Sequence, residues 1–444
     1  MNPTINEDAG VMPGLPLDSG LVPEAVAVGA ARPPLLRNPD FLTFWGAHAI
    51  SQVGTQVTAL ALPLLAALTL GASAFEVGVL AAIGWLPFLL VGLPAGVWAD
   101  RMRRRPLLIG ADIGRALVLV IVPLAAWQGW LSMPVLYAVA LTAGVLTVFF
   151  DVAYLSYVPT LVGRADLVSA NSKIESTTSA AQIIGPGLGG VLVRIVGAPF
   201  VLLLDAASLL VSAALLWRIR SAEPPPIPRH ERRPFKTELG EGLAAVGTSP
   251  VLRGLVLAAS TVSLSGYAFL AVYVLYMTRD LGLGPGEVGL VFSTGGVGAL
   301  IGATLAGPAR RRFGIGPSIL GGLCLFGVTG LLVPLAVLVP DHALPLVVAA
   351  EFLQWLTLMV YEVNAVSLRQ AIVPDRLAGR VNGAWRFIAG GLRPVGSLAG
   401  GALGAAIGLP LTLVVGEVGM LLAFVWLLFS PIVRLRDPQP IEES

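Results

Sequence analysis

The stretch Gly96-Val97-Trp98-Ala99-Asp100-Arg101-Met102-Arg103-Arg104-Arg105 closes one apolar run, near 77–99, and precedes another, near 107–127. Charges are expensive in hydrocarbon, so the stretch reads as a tight loop at a membrane surface. Each flanking run, wound as a helix, is long enough to cross about 30 Å of bilayer core. Outward from this loop the pattern repeats. Apolar runs near 41–70, 134–157, 176–196, 199–217, 251–276, 287–306, 317–338, 345–367, 384–406 and 410–433 complete a set of twelve expected spans.

Composition points the same way. Of 444 residues, 56% are hydrophobic and 12% charged, whereas soluble domains carry about 25% charged residues. Net charge is +2, and the basic residues fall in short clusters, which is no footprint for nucleic acid. Cys324 has no second cysteine to pair with, and His48, His230 and His342 lie far apart, so no disulfide, metal or cofactor is expected. No nucleophile stands with a base, which argues against an enzyme. Residues 1–37 lack the basic start and apolar core of a signal peptide and are expected to form a disordered tail.

Cytoplasmic loops hold an excess of Lys and Arg. With the amino terminus inside, 22 of the 28 basic residues fall on the cytoplasmic side. The sequence therefore places both termini in the cytoplasm of a cell inner membrane, with 434–444 as a short tail. The longest polar connection, 218–250, contains Pro224-Pro225-Pro226 and divides the spans into six (38–217) and six (251–433). At an offset of 211 residues, Glu76-Val77-Gly78 meets Glu287-Val288-Gly289, Gly84 meets Gly295, and Gly189-Gly190 meets Gly400-Gly401. Asp151 meets Glu362 and Asn171 meets Asn382 at the same offset. The expected fold is an all-α membrane protein of twelve transmembrane helices in two pseudo-symmetric six-helix halves.

The loop Gly96 to Arg105 resembles the signature loop of the major facilitator superfamily, with Arg103 where that signature has a glycine. Gly185-Pro186-Gly187-Leu188-Gly189-Gly190 is similar to a helix motif of the superfamily's drug antiporters. Phe149-Phe150-Asp151-Val152-Ala153-Tyr154, Leu167 to Asn171 and Leu204-Asp205-Ala206-Ala207-Ser208 resemble the branch that contains the enterobactin exporter and the macrolide-efflux proteins. The resemblance covers about residues 37 to 435 and implies proton-driven export of amphipathic small organic molecules, drug-like compounds, macrolides or siderophores, by alternating access. Antiporters of the superfamily often carry an arginine in the fourth span; here none lies between Met133 and Tyr157. An importer or uniporter of a small metabolite, or a non-transporting receptor, are the rival readings. A monomer in the lipid bilayer is expected.

A cytoplasmic gate is expected from Gly96, Asp100, Arg101, Arg104 and Arg105 with Asp151, in which Asp100 caps a helix of the other half and pairs with Arg104. A solvated charge run is the plain alternative. Gly185, Pro186, Gly189 and Gly190 read either as a leak-controlling bendable helix or as ordinary close packing. Ionisable groups within spans are functional candidates by cost alone. Glu351, Glu362, Glu175 and Asp151 are the proton candidates; Glu351, with no cation nearby in sequence, leads. Glu417, on a span outside the usual cavity lining of the superfamily, is set behind it. His48, Gln52, Gln56, Gln182, Tyr267, Trp355, Trp385 and Arg386 are the expected substrate contacts, with interhelical hydrogen bonding the alternative.

Overall fold

Several helices begin where the sequence offers a cap or a proline. The structure, a computed structural model, describes residues 35–91, 102–163, 166–221 and 235–436, with 235–239 and 375 by backbone alone. Asn38 accepts from the amides of Asp40 and Phe41 at 3.1 and 3.2 Å, and Pro39 opens α1 (Pro39–Leu64). There follow α2 (Ala74–Leu90), α3 (Arg104–Trp127), α4 (Met133–Val162), α5 (Leu167–Val196), α6 (Ala198–Arg218), α7 (Phe235–Thr248) and α8 (Pro250–Leu275). The chain continues with α9 (Pro285–Phe313), α10 (Ile315–Gly330), α11 (Ala343–Ile372), α12 (Asp375–Trp385), α13 (Gly391–Ile407) and α14 (Leu409–Leu422). A π turn, Arg386–Gly390, joins α12 to α13. Among the described residues 10 helices are long and apolar enough to cross a membrane. Two of the twelve expected spans fall short of that test: α2 has 17 described residues, and α12 opens on a polar stretch.

In the first half α1 packs on α5 and α6, α3 on α4 and α6, and α2 on α4. In the second, α9 and α10 pack on α11, while α13 and α14 pack on α8. The halves meet where α5 crosses α9 and α2 crosses α13. One end of the bundle carries the short connections 70–73, 128–132, 281–284 and Gly408; the opposite end carries Arg103 to Arg105, the end of α6, the start of α8 and Arg310 to Arg312. These are called the short-loop end and the arginine end.

The 211-residue repeat extends to local geometry. Glu76 and Glu287 each reach back to accept from the N-cap amide, of Ser73 and Gly284, at 2.7 Å. π turns close α1 at Leu65–Thr69 and α8 at Tyr276–Asp280. Gly71 and Gly282 follow them at φ 60° and 66°, a left-handed backbone that a Cβ would strain.

Several boundaries differ from the hydropathy reading. α5 starts at Leu167 and α12 at Asp375, well before the apolar windows at 176 and 384. Hydropathy marks where lipid begins, whereas a helix continues into water on its own backbone bonds. The polar connection holds α7, whose Gly242 lies so close to α12 that a Cβ would sit 2.2 Å from the Arg380 carbonyl, and whose Glu241 pairs with Arg380. Order reaches into both expected tails. Leu35–Arg37 form a short turn with Leu35 buried, and the carbonyls of Leu435 and Arg436 accept from Gly316 and Ile315 at 3.0 and 3.2 Å. The remaining tail residues, 1–34 and 437–444, lie outside the described residues.

The first half is tied inside by charge. Asp112 on α3 is wholly buried, pairs with Arg115 one turn on, and accepts from the Ser212 hydroxyl at 2.7 Å. Arg115→Leu leaves that carboxylate without its cation, at a cost of about 3–5 kcal/mol. A lower thermal midpoint of the detergent-extracted protein is expected, largely restored in the Asp112→Leu/Arg115→Leu double variant; a single variant as stable as the parent would contradict this.

Candidate functional site

Four glycines bring the halves together at the short-loop end. A Cβ on Gly78 of α2 would lie 2.6 Å from the Cα of Gly401 on α13, and one on Gly190 of α5 would lie 3.0 Å from the Cα of Gly289 and 2.3 Å from the Pro285 carbonyl on α9. Gly78 and Gly289 are repeat equivalents, as are Gly190 and Gly401, so the two crossings are images of one another. Gly185 and Gly189 face α1 instead, against Gln56 and Val57, and the Pro186 carbonyl approaches Gly289. The glycine motif of α5 thus packs on α1 with one face and on the other half with the other. Arg279 adds a polar tie, donating to the Ala72 carbonyl at 2.6 Å.

Between the glycine crossings and the arginine end, the helices carry aromatic and charged groups. Tyr267 of α8 meets Trp85 of α2 edge-on at 5.3 Å, and the Arg393 guanidinium lies over both rings, 4.6 Å from Trp85 and 5.3 Å from Tyr267. Arg369 lies 4.2 Å over Trp385. Asp151 is exposed and lies within electrostatic reach of Arg115 in its own half and Arg386 in the other. Arg115 is itself paired with Asp112. Glu362, its repeat equivalent, is within reach of Arg369 and Arg393. Glu175, Gln182 and Arg386 are exposed, and Gln52 is half-buried. His48 is buried: it stacks on Tyr154 at 4.9 Å and meets the Thr178 hydroxyl at 3.1 Å, holding α1 to α4 and α5. A cavity of about 200 Å³ lies within the first half, with Thr58, Phe88, Arg115 and Asp205 in its wall.

The expected cytoplasmic gate is only partly in view, since Gly96, Asp100 and Arg101 lie outside the described residues. Arg105 donates from Nε to the Leu216 carbonyl at 3.0 Å and also to the Trp217 carbonyl. It therefore caps the end of α6 in its own half, where a cation meets the negative pole of the helix. Arg104 opens α3.

Glu351 on α11 is 2% exposed and all of its direct partners are neutral: the Tyr273 hydroxyl donates to it at 2.9 Å and the Trp355 indole at 2.8 Å. Gly295 of α9 leaves room for both Glu351 and Trp355. Sequence reading missed Tyr273, Gln354 and Trp85. Each is one polar or aromatic residue in an apolar run, and only the packing of neighbouring helices reveals what it touches.

A family model described as a transmembrane secretion effector matches residues 30–441. The chain belongs to that family, within the major facilitator superfamily. An enterobactin exporter, EntS, of Citrobacter koseri is 26% identical over 425 residues, covering 92% of this chain and 96% of its own. A multidrug efflux pump, Tap, of Mycolicibacterium fortuitum is 28% identical over 425 residues, covering 90% and 97%. The fold matches a bacterial homologue of the iron transporter ferroportin in an inward-facing state, with a TM-score of 0.74 at 19% identity, covering 89% of this chain and 99% of that one. A bacterial homologue of the lysosomal transporter Spinster, inward-facing and unoccupied, matches with a TM-score of 0.66 at 17% identity, covering 89% and 97%. This secretion effector is a multi-pass membrane transporter and not an enzyme.

Proposed function

We propose that this secretion effector exports amphipathic organic molecules, of the siderophore or drug-like kind, in exchange for protons. The observation that carries this is the pair of repeat-related glycine crossings, Gly78 on Gly401 and Gly190 on Gly289, at the short-loop end of the described interface. A carrier sealed there receives its solute from the arginine end. The excess of basic residues makes that end cytoplasmic, so the solute leaves the cell when the seal opens. The relatives named as exporters support the same direction.

The cycle follows from the geometry. Solute enters between the halves and meets Trp85, Tyr267, Trp355 and Trp385, whose rings take apolar and aromatic groups; Arg386 and Arg393 take polar or anionic ones. The halves then rock about their crossings, parting Gly78 from Gly401 and Gly190 from Gly289 and releasing Arg279 from Ala72. Opening this end exposes Glu351 to outside protons, and a neutralised carboxyl is the form that an apolar site accepts when the halves close again. Everted vesicles test the direction of transport: with an acid lumen they are expected to accumulate at least one of enterobactin, erythromycin or ethidium. Accumulation of these compounds only in right-side-out vesicles would reverse the reading.

Orientation has its own test. In a Cys324→Ser background, Gln128→Cys and Asp341→Cys, both exposed at short loops, are expected to react with an impermeant thiol reagent added to intact cells. Thr248→Cys, exposed at the end of α7, is expected to stay unlabelled until the cells are broken. Labelling of Thr248→Cys in intact cells would invert the topology.

A further inference from the structure

We propose that Glu417 is a second proton-binding carboxylate, coupled to Glu351. The proposal rests on the proton-exchange reading of Glu351. Glu417, in the middle of α14, is wholly buried. Gln354, one turn beyond Glu351 on α11, donates its side-chain amide to Glu417 Oε1 at 2.8 Å. The second oxygen, Oε2, has no hydrogen-bond partner and lies against Gly330 of α10, where a Cβ would stand 2.0 Å from it and 2.3 Å from the Gln354 amide nitrogen. A glycine is thus required for the carboxyl and the amide to meet.

The titratable groups facing Glu417 are Glu351 of α11 and Tyr273 of α8. α10 presents the Gly330 backbone, and no arginine, lysine or histidine is among the electrostatic neighbours of Glu417 in the described residues. The two glutamates therefore share an enclosed space with neutral donors only. Two negative charges there would repel each other with little solvent to screen them, so protons must neutralise at least one. Ionised, Oε2 has lone pairs that find no donor. A group kept only to tie helices together would be satisfied in one fixed state. Glu417 instead suits a carboxyl that gains and loses a proton as its surroundings shift. Only O–H bonds form and break, and Trp355, 39% exposed, donates to Glu351.

The test needs no solute. Infrared titration of the full chain in proteoliposomes follows the protonated-carboxyl C=O band as pH rises, in the parent and in E351Q, E417Q and the double variant. Each single variant is expected to remove one titrating carboxyl and the double variant two, while E417D, which keeps the acid, retains both. An E417Q band that titrates like the parent would show Glu417 to be permanently protonated and overturn the proposal. An unchanged band in E351Q would instead refute the reading of Glu351, and the coupled pair with it.

Discussion

Gly190→Val is expected to abolish export while leaving membrane insertion intact. The new side chain would meet backbone on α9, the Pro285 carbonyl and the Gly289 Cα, and backbone cannot swing aside as a flexible side chain can. Overpacking a close crossing costs roughly 1–3 kcal/mol or more. At the upper end that shifts the balance between sealed and open forms about a hundredfold. The substitution should trap the carrier open at the short-loop end, so a cysteine at Trp85 should label faster from outside in this background. Gly401→Val, at the equivalent position, is expected to behave alike because its Cβ would meet the Gly78 Cα at 2.8 Å. Gly110→Val is the control: it lies on α3 with an ordinary helical backbone, and a Cβ there meets open space. Export by Gly190→Val at the parent rate would mean that this crossing does not part during transport.

Glu351→Gln is expected to uncouple. Glutamine keeps the shape and can still accept from Tyr273 or Trp355 through its carbonyl, so insertion and solute exchange down a gradient should persist. It cannot exchange a proton. Each coupled proton supports about a tenfold concentration ratio per pH unit, and that ratio should fall to one in the variant. Full gradient-driven accumulation by Glu351→Gln would remove this residue from coupling and leave Asp151, Glu175 and Glu362 as candidates.

Much of the architecture was legible because it lies in composition and repetition. Apolar runs of bilayer length marked the spans, and a single offset of 211 residues revealed the duplication, whose equivalent caps, π turns and crossings only the structure displays. Hydropathy failed where helix and lipid part company, at Leu167 and Asp375, since a polar helix protruding into water carries no apolar signal. Within the site, the cost of a charge in hydrocarbon was enough to single out Glu351. It could not reveal that Tyr273 and Trp355 hold this carboxylate, or that Arg105 caps α6 within its own half. Nor could it show that Glu417, set aside because of the span it occupies, lies beside Gln354 and Gly330. Those contacts join helices far apart in the chain, and residue identity alone does not encode which faces meet. His48 shows the converse: a polar residue on a membrane helix that suggested a cavity contact is stacked on Tyr154 between helices.

Proton movement on solute addition tests the central claim most directly. Everted vesicles containing the full chain are given an acid lumen, the lumenal pH is followed with an entrapped dye, and enterobactin, erythromycin and ethidium are added in turn. Solute uptake accompanied by lumenal alkalinisation is expected for the parent, with neither gradient-driven accumulation nor alkalinisation in Glu351→Gln. Accumulation that proceeds equally after the pH gradient is collapsed, with no proton leaving the lumen, would contradict the account.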